Sequence, residues 1–111
     1  MELHVDLETL VVRLVDPLQL RDLWVVVDGP PGATVHSHGH RLGDVVAHRH
    51  VGVLEPDGTV AVDRGILEFL SAGEVDDGWD EELDAALDRA AQDGRLDGSG
   101  RLQASVRWPG G

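Results

Sequence analysis

Cysteine is absent from the 111 residues. Disulfides, thiolate metal sites and cysteine nucleophiles are therefore excluded. Lysine, asparagine and tyrosine are absent as well, and Phe69 and Ile66 are the sole representatives of their types. All of these use AT-rich codons, so the pattern points to a GC-rich genome rather than to selection on the protein. The apolar run Trp24 to Val27 is far shorter than the roughly 20 residues of a membrane-spanning helix. The residues after Met1 form neither a basic n-region nor an apolar h-region. A soluble cytoplasmic protein with no membrane partner is the expectation.

What is there is acid. The net charge is −12. Such a field repels phosphate backbones, which argues against nucleic acid. It suits solubility, a basic protein partner or a bound cation. The length suits a single domain over residues 1–111 with one hydrophobic core built mainly from Leu and Val.

Patterning along the chain predicts strands before helices. Leu3, Val5 and Leu7 alternate with His4, Asp6 and Glu8, as in a strand with one wet face. Leu10 to Val15 and Asp22 to Asp28 read as further strands, separated by Asp16-Pro17 and a short helical turn to Arg21. Val45 to Leu54 and Thr59 to Val62 read as a hairpin about Glu55-Pro56-Asp57-Gly58. Asp63 is placed to cap a helix over 64–72, with Ile66, Leu67, Phe69 and Leu70 as its apolar stripe and Gly73 as its stop. A second helix is expected over 79–93, where Trp79, Leu83, Ala86, Leu87 and Ala90 share one face. After the Asp97 to Gly100 loop, Arg101 to Trp108 alternates as a final strand. The order predicts an α+β fold. Its mostly antiparallel sheet has about five to six strands, two helices of the C-terminal half on one face, and a last strand returning to the sheet.

The histidines are the most unusual feature. His36, His38, His40, His48 and His50 fall close together, with intervals of two inside each group. On extended chain, such intervals place side chains on one face. A reversal through Leu42-Gly43-Asp44 then sets His36 opposite His50 and His38 opposite His48. Four imidazoles so arranged suit Zn²⁺, Ni²⁺ or Cu²⁺, with His40 and Asp44 as spare ligands. A shift of one residue in register dissolves the cluster and leaves a polar hairpin face or a surface loop.

Pro31-Gly32-Ala33-Thr34-Val35-His36-Ser37-His38 resembles the opening of the cupin metal motif. Leu42 and Gly43 stand where that pattern has Glu, and no second motif follows. His36 to His40 similarly grazes the His-x-His-x-Asp-His signature of metallo-β-lactamases without its Asp. Neither likeness assigns a family.

Other chemistry is thin. No serine lies in a Gly-x-Ser-x-Gly elbow, and no phosphate-binding glycine loop occurs. Arg13 and Arg49 interrupt apolar segments, each as an ion pair, a ligand contact or an exposed position. Two functional expectations result. One is a non-catalytic interaction or accessory module, meeting a basic protein partner or a second copy through Asp80, Glu81, Asp84, Asp88 and Trp108. The other is a small metal-binding protein or metalloenzyme using His36, His38, His48 and His50.

Overall fold

The computed structural model describes residues 1–16, 23–72, 75, 78–96 and 100–109. The expected turn at Pro17 to Arg21, the stop at Gly73 and most of the loop at Asp97 to Gly100 lie outside these. The elements run β1 (Glu2–Asp6), β2 (Val12–Val15), β3 (Trp24–Asp28), α1 (Val35–His48), β4 (Gly52–Leu54), β5 (Val60–Val62), α2 (Arg64–Ser71), α3 (Trp79–Gln92) and β6 (Leu102–Arg107). The fold is α+β. One six-stranded sheet has the order β2-β1-β3-β6-β5-β4. Among the described residues, no helix is long and apolar enough to cross a membrane.

The alternation in β1 produces the expected two-faced strand. Leu3 and Val5 stand beside Val25 and Val27 in the parallel register of β1 and β3, and all four are buried. On the other face His4 Nε2 lies 3.0 Å from Glu2 and Nδ1 lies 3.4 Å from Asp28. Arg107 caps the Trp24 ring at 4.9 Å from its centroid and approaches Glu2 at 3.6 Å. The wet face is thus tied together by polar and cation–ring contacts across β1, β3 and β6.

The sheet is mixed. β1–β3 and β3–β6 are parallel, whereas β1–β2, β4–β5 and β5–β6 are antiparallel. Between the parallel strands β3 and β6, a third helix, α1, occupies the segment expected to be strands and a turn. Parallel neighbours need a long crossover, and α1 with the elements after it provides one between β3 and β6. The helix forms at Thr34 through a reciprocal capping box. Thr34 Oγ1 accepts the Ser37 N–H at 3.3 Å, and Ser37 Oγ accepts the Thr34 N–H at 2.9 Å. From there Gly39, Leu42, Val45 and Val46 recur at helical intervals and are buried.

The β4–β5 hairpin turns as expected. Gly58 has φ of 90° and donates to the Glu55 carbonyl at 3.0 Å, while Asp57 Oδ1 accepts from both Thr59 N–H and Oγ1–H. α3 also behaves as its pattern predicts, with Trp79, Leu83 and Ala90 buried. α2 departs in two ways. Asp63 stands at its N-cap but makes no capping bond, because its carboxylate accepts from Arg101 at 2.8 Å. Of the apolar stripe, Leu67 is buried, Ile66 and Leu70 are half-buried, and Phe69 is 76 % exposed. Buried residues of all three helices join the apolar sheet face in one core cluster, and Trp108 packs half-buried against its edge.

Candidate functional site

The histidines expected to converge do not. His36, His38 and His48 lie on α1, and His50 lies just beyond it. An interval of two on a helix turns about 200°, so His36 and His38 leave the axis in opposed directions. His36 is exposed, whereas His38 is half-buried with Nδ1 2.7 Å from Ser37 Oγ. The helix separates His36 from His48 by about 18 Å along its axis. The two-by-two patch on a hairpin is therefore corrected, since no hairpin exists there. Among the described residues, no group of three His, Asp or Glu side chains in the chain is placed to hold an ion.

The acidic residues expected at an interface lie on α3 and are exposed at Asp80, Glu81, Asp84 and Asp88. Asp84 already serves inside the molecule, pairing with Arg64, which also meets Glu68 at 2.5 Å. Asp84 first and Glu68 second raise the Arg64 pKa further above its ordinary value.

A different site emerges where α1 ends. The Val51 N–H donates to Val46 O at 2.9 Å and the His50 N–H to Ala47 O at 3.3 Å, the two bonds of a Schellman stop. That stop requires a left-handed residue, usually glycine. Here His50 fills it with φ of 59°. Facing it is the β1–β2 turn, where Leu10 also has a left-handed φ, of 62°. The turn is held by Asp6, whose Oδ1 accepts the N–H groups of Glu8 at 2.8 Å and Thr9 at 3.0 Å. These bonds lower the Asp6 pKa. Arg41 Nε donates to Leu7 O at 2.7 Å and Arg49 Nε donates to Leu10 O at 3.0 Å. Two arginines thus bolt α1 to the turn. Among the described residues, neither forms an ion pair with a carboxylate.

Three adjoining hollows of about 690, 670 and 540 Å³ meet at Arg49. The middle one is floored by Leu10, Val12, Ile66 and Leu70 and flanked by Val11 and Phe69. Val11 is 54 % exposed and Phe69 76 %, the two most exposed large hydrophobics of the described chain. Its polar wall is His48, Arg49 and His50. Volumes of this size fall in the range of ligand sites, and apolar floors with few polar groups are their usual lining. Strained backbone at both rims is a further mark of functional surface. The arrangement can bind an apolar group and a neighbouring anion. Sequence reading singled out Arg49 but not Leu10, Val11 or Phe69. The available signal was an apolar stripe on α2 too wide for a helix with one covered side.

Comparison with protein-family models, curated proteins and solved structures found no match to this chain.

Proposed function

We propose that the protein is a non-catalytic interaction module whose groove docks a segment of a partner protein carrying apolar side chains next to carboxylates. The observation that carries this reading is the side-by-side exposure of Val11 and Phe69 in one hollow with Arg49. Aromatic residues and arginine are both enriched at protein interfaces. Charge selects the occupant. The groove's Arg64 and Arg101 are paired with Asp84, Glu68 and Asp63, so among the described residues Arg49, and Arg41 in the adjoining hollow, are the arginines left for an incoming carboxylate. In a chain of net charge −12, this local reversal marks a place where an acidic segment meets least repulsion.

The test uses labelled peptides with Leu or Phe anchors flanked by Glu, against the same peptides flanked by Arg, read by fluorescence anisotropy. The acidic set binds, and Phe69→Ser or Arg49→Ala weakens it about tenfold or more. Binding that ignores the flanking charge, survives both substitutions, or fails for every acidic peptide overturns the proposal.

A further inference from the structure

The helix that dispersed the expected histidine patch creates another row of donors. His36, His40, Asp44 and His48 follow one another along α1 at intervals of four, and all are exposed. An interval of four passes a full turn by only about 40° and climbs about 6 Å. Adjacent members of such a row therefore have Cβ atoms about 5–6 Å apart. One adjacent pair is already in contact, with His40 Nε2 3.5 Å from Asp44 Oδ2, although these side chains are 95 % and 70 % exposed. Two histidines at this interval on one helix are a known way to grip zinc.

The described residues of one chain do not complete a site. Two neighbours in the row can reach a common ion, and no third donor joins them within the described chain. A closed zinc site takes four. The row itself supplies the remedy, because it is nearly symmetric about its midpoint between His40 and Asp44. Reversing its direction exchanges His36 with His48 and His40 with Asp44. A second copy lying antiparallel across α1 thus presents Asp44 and His48 to the His36 and His40 of the first, and the two-fold axis repeats this at the other end. A two-fold interface needs just such a self-complementary patch. The ridge formed by every fourth residue is also the one along which helices most often cross, at about 50°. Arg41, the long side chain nearest the row, is drawn aside to the Leu7 carbonyl.

We propose that two copies of the chain bind a pair of transition-metal ions between their α1 helices, each ion held by His36 and His40 of one copy and Asp44 and His48 of the other. Three imidazole nitrogens and one carboxylate oxygen suit Zn²⁺. The ions also supply positive charge where two chains of net charge −12 would otherwise repel, so association depends on the metal. This inference is separate from peptide docking. His48 borders both surfaces, and Phe69→Ser is expected to leave the metal response intact.

The test adds zinc chloride to the untagged protein and follows mass by sedimentation velocity. The 12.0 kDa chain doubles in mass with one ion per chain, and EDTA reverses the change. The double variants His36→Ala/His40→Ala and Asp44→Ala/His48→Ala each stay monomeric alone. Mixed together, they form a heterodimer that retains one intact site. Alanine is the best helix former, so these exposed changes preserve α1, and circular dichroism verifies it. Zinc uptake by a chain that stays monomeric, a dimer indifferent to either double variant, or a mixture that fails to associate overturns the proposal.

Discussion

Arg49 Nε donates to the carbonyl of Leu10 across 3.0 Å, joining the end of α1 to the β1–β2 turn. On each side of that bond the backbone is left-handed, at His50 and at Leu10. A single exposed arginine therefore spans the two strained points of the chain that face one groove.

Removing it has two readable effects. A hydrogen bond of this kind contributes about 0.5–1.5 kcal/mol net, so Arg49→Ala is expected to lower the urea midpoint by a corresponding amount. The groove also loses an arginine that has no carboxylate partner among the described residues. Phe69→Ser separates the two effects. Phe69 is 76 % exposed, so its loss changes stability by no more than about 0.5 kcal/mol while docking falls.

His50→Gly is expected to stabilise the protein. A left-handed conformation costs a non-glycine residue about 1–2 kcal/mol. Glycine gives back about 0.5–1 kcal/mol through its freer unfolded chain. The difference leaves a gain of roughly 0.5–1 kcal/mol, measured by chemical denaturation. A loss of stability would show that the imidazole makes a contact outweighing its strain.

Gly52→Ala is expected to be among the most damaging single changes. A Cβ there would sit 1.7 Å from the Ala61 carbonyl oxygen, in the strand partner itself. Since neither backbone can yield without breaking the β4–β5 ladder, the cost exceeds about 3 kcal/mol. Gly58→Ala is the control. Its φ of 90° is equally unfavourable for alanine, but a Cβ meets nothing within 4 Å. That variant is expected to lose only about 1–2 kcal/mol, and thermal melts of the two distinguish crowding from conformation.

Acid should weaken the fold through exposed carboxylates. The Asp6 carboxylate is lowered by the Thr9 and Glu8 N–H groups, Asp57 by Thr59, and Glu2 by His4. A carboxylate with a lowered native pKa favours folding in its charged form. Its contribution is complete above the ordinary values of 3.8 for Asp and 4.5 for Glu, and it disappears as pH falls through the lower native value. Urea midpoints are therefore expected to be level from pH 7 to about 5 and to drop below about 4. Asp6→Asn should flatten part of that drop. An unchanged slope in this variant would remove Asp6 from the account.

The parts of the fold legible in the sequence are those fixed by local chemistry. Glu55 to Gly58 contains its own turn instructions, and α3 shows its buried face at Trp79, Leu83 and Ala90. α1 hid for two reasons. Its capping box uses Ser37 where Glu or Gln is the familiar partner, and the histidines between His36 and His40 mimic the alternation of a strand. The apolar interval from Leu42 to Val46 was the competing signal. Missing that helix also removed the crossover, so the parallel pairing of β3 with β6 could not be foreseen. The groove was less legible still. Arg49 stood out as a charge in apolar surroundings, but the exposure of Phe69 depends on how α2 lies against β2, a long-range fact.

β6, the last of the described strands, is not at the margin of the sheet. It lies between β3 and β5, so among the described strands the N-terminal trio β2-β1-β3 and the pair β5-β4 are joined in the sheet through it alone. During synthesis these two sets of strands have no pairing with each other until β6 has been made. A stop codon upstream of Leu102 would therefore leave the sheet in two parts with no strand pairing between them rather than yield a slightly shortened protein.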